Sequence, residues 1–104
     1  MPNRTRRYED SLRAALRDPA EAAAYLNAHL ENNGRESEKL FLMALRDVAT
    51  AFGMKAIASK ASVGRESLYK TLAKSGNPSL STLAALLHAM GLELAVKVKG
   101  KKAS

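Results

Sequence analysis

The amino-acid sequence predicts an all-helical fold of five or six helices that ends in a short β-strand. Three observations carry that prediction. Apolar residues recur at three- and four-residue spacings from Tyr8 to Met90, the period of helices with one buried face. Two short helical segments, 55–61 and 65–74, are parted only by Ser62-Val63-Gly64, which leaves room for a sharp corner but not for an antiparallel return. Past Gly91 the period changes from 3.6 to 2.

Taken in order, the first helix spans about 9–17, with Tyr8, Leu12 and Leu16 four residues apart on one face. Asp18-Pro19 then restarts the chain: Asp is a good N-cap, and Pro fits the first helical position because it has no N–H to leave unpaired. A second helix follows over 20–31, with Ala23, Leu26 and Leu30 aligned, and Asn32-Asn33-Gly34 closes it. Ser37 opens a third, to about Phe52, whose stripe of Phe41, Leu45, Val48 and Phe52 is widened by Leu42 and Ala49 and stopped by Gly53. The two short segments come next, with Ile57 and Ala58 inward in one and Leu68 and Leu72 inward in the other. Residues 74–78 read as a loop, and Ser79 caps a last helix in which Leu80, Leu83, Leu87 and Met90 face the core. Leu92, Leu94, Val96 and Val98 alternate with Glu93, Ala95, Lys97 and Lys99 as one half-buried strand, ahead of a basic tail.

At 104 residues the chain has room for one domain with a modest core. We divide it into an N-terminal helical extension (1–36), a central unit (37–92) and a C-terminal strand with its tail (93–104). With 46% hydrophobic and 26% charged residues it is an ordinary globular chain. No apolar run approaches the roughly 20 residues that cross a bilayer, and no apolar stretch follows the charged N-terminus as in a secretory signal. Absence of cysteine excludes disulfides and cysteine-held zinc, and suits the cytoplasm. His29 and His88 stand far apart, outside any metal-ligand spacing, and read as partly exposed helix residues. No nucleophile elbow, phosphate-cradling glycine loop or paired-carboxylate setting is present, so neither an enzyme nor a cofactor is expected.

The net charge of +7 is unevenly placed. Residues 1–34 hold five Arg and five acids, and residues 35–53 hold three of each sign. Residues 54–104 hold nine Lys or Arg against only Glu66 and Glu93, and so carry the whole excess. A polyanion-binding half would be built this way, since phosphate contacts dominate nucleic-acid affinity; solubility with a basic tail is the plainer alternative.

A helix that reads DNA must expose its first turns to base edges while its other side is pinned to a core. In residues 54–72 the pins are Ile57, Ala58, Val63, Leu68 and Leu72, which leaves Arg65, Glu66, Ser67 and Lys70 projecting. Arg can bond guanine with two hydrogen bonds, Glu accepts from cytosine, Ser is permissive, and Lys suits phosphate or guanine. Glu66 could instead pair with Lys70, four residues on. Gly64 leaves the first N–H groups of that helix open to a phosphate. Lys55 and Lys60 suit the DNA backbone if the first short helix abuts it, and are plain surface lysines otherwise. Tyr69 could reach a phosphate or pack beside the core.

From about Ser37 to Leu92 the sequence resembles the lambda-repressor/Cro-like helix-turn-helix proteins of the XRE type. The resemblance rests on Ile57-Ala58, Val63, Arg65-Glu66-Ser67-Leu68-Tyr69, Gly76-Asn77-Pro78-Ser79, Thr82-Leu83 and Ala89-Met90-Gly91-Leu92. It departs at two positions: the family usually has Gly where this chain has Ser62, and a capping Ser or Thr where it has Gly64. A serine held left-handed in that turn costs about 1 kcal/mol. The chain as a whole resembles HigA-like addiction-module antidote proteins in Asp18-Pro19, Ala23-Ala24-Tyr25-Leu26-Asn27, Phe41 to Ala49, Arg65 to Tyr69 and Asn77-Pro78-Ser79.

Those resemblances imply a double-stranded DNA operator contacted by Lys55, Lys60, Gly64, Arg65, Glu66, Ser67, Lys70 and Asn77. They also imply a RelE-like ribonuclease toxin as partner, and repression of the operon the two share. A stand-alone regulator and an interaction module that has lost DNA binding are the alternatives. The neutral N-terminal helix pair either caps the core or forms a surface for a toxin or second subunit. A lone strand needs a ladder partner, which a homodimer would supply by pairing Leu94 and Val96 of two copies; a toxin could supply it instead, or the segment is a frayed extension.

Overall fold

A computed structural model describes residues 4–31, 36–73 and 76–100, with side chains from Tyr8 onward. Six helices are present among them: α1 (Arg4–Leu16), α2 (Pro19–Glu31), α3 (Ser37–Phe52), α4 (Met54–Lys60), α5 (Arg65–Thr71) and α6 (Leu80–Ala89). The all-helical expectation holds, and α1 begins a full turn earlier than the apolar spacing indicated. The Asn32-Asn33-Gly34 stop, the Lys74-Ser75 part of the loop and the last residues of the tail lie outside the described residues.

Local chemistry sets the helix ends. Asp18 Oδ1 accepts the Ala20 N–H at 3.4 Å while its carbonyl takes the Ala22 N–H, so α2 starts where the Asp-Pro pair placed it. Ser79 Oγ accepts the Thr82 N–H at 3.2 Å and opens α6 in the same manner. Gly53, at φ +105°, closes α3 with its N–H on the Ala49 and Thr50 carbonyls and turns the chain directly into α4. α5 ends at Thr71, about a turn short of the expected Lys74, because the chain then folds back: Gly76 N–H bonds the Ala73 carbonyl at 2.8 Å. A side chain at Gly76 would collide with the Thr71 carbonyl, so this close return demands glycine.

One continuous apolar cluster joins every helix. Leu45 and Val48 of α3 lie at its centre, with Leu16, Ala22 and Leu26 on one side and Ile57, Leu68, Leu72, Leu86, Leu87 and Met90 on the other. α2 packs along α3, α1 lies across both, and α4 meets α3, α5 and α6. Several expected core positions prove to be at the edge. Tyr8 is 68% exposed and Leu80 72% exposed, while Leu30 is also outside. Leu30 and Leu80 stand at the ends of their helices, whereas Tyr8 lies a turn inside α1 and is exposed nonetheless. Ala22 replaces Ala23 as the buried alanine of α2, and Leu86 completes the face of α6.

The C-terminal strand is not formed. Residues 92–98 have no strand or bridge, and apart from Leu92 their backbone groups make no hydrogen bond to any described residue. No second strand lies within the described residues to complete a ladder, so the alternating segment is left irregular and largely exposed.

Candidate nucleic-acid interface

The turn between α4 and α5 is built by hydrogen bonds at the end of α4. Ala61 is the C-cap of α4, Ser62 takes φ +57°, and Val63 follows. Val63 N–H reaches back to the Ala58 carbonyl at 2.9 Å and Ser62 N–H to the Ser59 carbonyl at 3.2 Å. This is the two-bond closure that helices make when the next residue goes left-handed, and a hydrophobic contact accompanies it, because Val63 packs against the core beside Ala58. α6 ends identically: Gly91 is at φ +81°, Leu92 N–H bonds the Leu87 carbonyl and Gly91 N–H the His88 carbonyl. Serine at 62 thus occupies a left-handed position of the kind glycine favours.

From this corner Gly64 (φ −67°, ψ 148°) enters α5 with no side-chain cap, and no side chain among the described residues takes the first N–H groups of the helix. Leu68 and Leu72 are wholly buried and fix the inner face of α5. Arg65, Glu66, Ser67 and Lys70 are all exposed, as are Gly64 on the turn and Lys55 and Lys60 on α4, the helix that packs directly against α5. Lys60 and Arg65 thus stand exposed on either side of the corner, while Lys55 is exposed in the first turn of α4. Asn77 is exposed as well and borders a groove with Phe41, Leu42 and Leu83.

Two residues escaped the sequence reading. Arg46, on α3, places its guanidinium 5.9 Å from the centre of the Tyr69 ring, and so braces the exposed side of α5 against the central helix. Only its spacing after Phe41 and Leu42 could have placed it outward, and nothing in the sequence names Tyr69 as its partner. Arg17 donates from Nε to the Ala51 carbonyl at 3.1 Å, satisfying one of the last carbonyls of α3 just before the chain turns into α4.

No group of three or more potential metal ligands occurs among the described residues, and no helix there is long and apolar enough to cross a membrane.

A family model described as probable addiction module antidote protein matches residues 8–98. A protein of Haemophilus influenzae strain Rd, itself uncharacterised, is 38% identical over 82 residues, which span 79% of this chain and 81% of the relative. No solved structure matches.

Proposed function

The chain belongs to the family of probable addiction module antidote proteins, and from that premise we propose that it is an antitoxin that binds operator DNA and represses its own operon. The observation that carries the DNA half of this reading is the corner at Ser62, which leaves Arg65, Glu66, Ser67 and Lys70 exposed on a helix pinned from behind by Leu68 and Leu72. That is the requirement for a helix-turn-helix whose second helix enters the major groove. Arg65 and Ser67 would meet base edges, and Lys55, Lys60 and Lys70 phosphates. We read the protein as a binding protein and not an enzyme, working in the cytoplasm as a two-fold homodimer on two half-sites.

The family description supports a toxin as partner. A RelE-like ribonuclease is our choice for it, on the resemblance to HigA-like antitoxins. Two experiments test the reading. Titrating the DNA upstream of the gene with purified protein should give a salt-sensitive, sequence-specific complex; binding no tighter than to random DNA would remove the repressor role. Co-expression with the product of the neighbouring gene should restore growth and yield a co-purifying pair; a toxic neighbour that neither associates nor is neutralised would remove the antitoxin role.

A further inference from the structure

The segment after α6 leaves the body at a fixed point and then makes no backbone hydrogen bond to the described residues, although Lys97 to Gly100 border a cleft beside Asn27, Leu30 and Glu31 of α2. Gly91 and Leu92 are held by the closure on His88 and Leu87, and Leu92 packs against the core. Beyond them Leu94 is 46% exposed, Val98 66% and Val96 99%, an unusual setting for three large aliphatic residues in seven. Their alternation puts Leu92, Leu94, Val96 and Val98 on one side of an extended chain and Glu93, Ala95 and Lys97 on the other.

We propose that two copies of this chain pair antiparallel through residues 92–98 with the two-fold axis at Ala95. Within residues 92–98 that register gives every apolar residue an apolar partner and every charge an opposite one. Centred on Ala95, Leu92 faces Val98 of the other copy, Leu94 faces Val96, and Glu93 faces Lys97, twice each by symmetry, while the smallest side chain of the run meets itself on the axis. Glu93 is the one acid after Glu66, and this register gives it a cation directly opposite. Sliding the strands by two residues one way keeps Glu93 on a cation, Lys99, and Leu94 on Val98, but sets Leu92 against Gly100 and Ala95 against Lys97; sliding them the other way sets Glu93 against Ala95 and Lys97 against Gly91. A slip of one residue would mix the apolar and charged faces. The exposed backbone groups of residues 93–98 would then gain the ladder they lack within one chain. This inference rests on the homodimer in the proposed function and on none of its claims about DNA or toxin.

The chain has no cysteine, so single cysteines can read the register in the full-length protein without other changes. Residues directly opposite in an antiparallel pair have Cα atoms about 4.5–5.5 Å apart, inside the roughly 4.4–6.8 Å that a disulfide spans. Under mild oxidation Ala95→Cys should become a covalent dimer nearly completely, and Leu94→Cys and Val96→Cys only slightly. In sedimentation, Glu93→Lys should weaken dimerisation roughly tenfold, and adding Lys97→Glu should restore it. Fastest linkage at 94 or 96, or a Glu93→Lys protein that dimerises as well as the original, overturns the register. A protein that stays monomeric at micromolar concentration, with 92–98 protected from exchange only when toxin is bound, overturns the pairing of copies and gives the segment to the toxin. Both readouts are made without DNA, so their failure leaves the operator titration standing.

Discussion

The Val63 N–H bonds the Ala58 carbonyl at 2.9 Å, and this single reach across the end of α4 fixes the angle at which α5 leaves it. Everything proposed for Arg65 and its neighbours depends on that angle. The residue it strains is Ser62, at φ +57°, where Gly91 occupies the equivalent place after α6.

Ser62→Gly should therefore stabilise the protein. Relief of the left-handed strain, about 1–2 kcal/mol, outweighs the extra freedom glycine gives the unfolded chain, about 0.4–1 kcal/mol. A net gain of roughly 0.5–1 kcal/mol would raise Tm by a few degrees. Ser62→Val, with a β-branched side chain, should lower it by at least as much. Thermal unfolding of the two variants checks the sign of each.

Gly76→Ala should be costly although the position is in a loop. The added methyl meets the Thr71 carbonyl, and either the loop or the last turn of α5 must move. We expect a loss of about 2–3 kcal/mol, the scale of other overpacked sites. Hydrogen exchange should locate the loosening at the end of α5, while the amides of α2 and α3 keep their protection; uniform loss along the chain would contradict this.

The Tyr25 hydroxyl donates to Asp47 Oδ2 at 2.7 Å and ties α2 to α3. Burial first, then the hydrogen bond to Asp47 and the charges nearby, hold the phenol protonated well above its ordinary 10.0. The unfolded chain releases this proton near pH 10.0 and the folded chain only at higher pH. The contact's contribution is thus whole below pH 10 and is lost as pH rises beyond it. Tyr25→Phe should cost about 1 kcal/mol at neutral pH and make unfolding less sensitive to pH on the alkaline side. Denaturant titrations at pH 7 and above pH 10 measure both.

Much of this fold was legible in the residues, and the failures have a common cause. Asp18, Ser79, Gly53 and Gly91 each act on their own backbone neighbourhood, so sequence places them directly. The three-residue corner marked Ser62 as a point of strain, but only the backbone shows that the serine itself goes left-handed. Burial along a stripe was not legible, because periodicity gives a face but not how far the neighbouring helix extends: Leu30 and Leu80, at helix ends, and Tyr8, a turn inside α1, lie on apolar stripes and still face water. The strand failed for a related reason, since alternation reports a tendency that only a partner strand can realise. In the candidate interface, the exposure of Arg65 and Lys70 followed from the pins at Leu68 and Leu72. The brace of Arg46 on Tyr69 is a long-range contact that no local pattern encodes.

The central claim is that α5 reads DNA, and footprinting on the gene's own upstream region at two salt concentrations tests it most directly. Arg65→Ala should weaken specific binding by roughly 1–3 kcal/mol and relax preference at one base pair. Lys60→Ala should weaken all sequences alike and reduce the salt dependence by about one charge. An Arg65→Ala protein that binds the operator with unchanged affinity and preference would contradict the account.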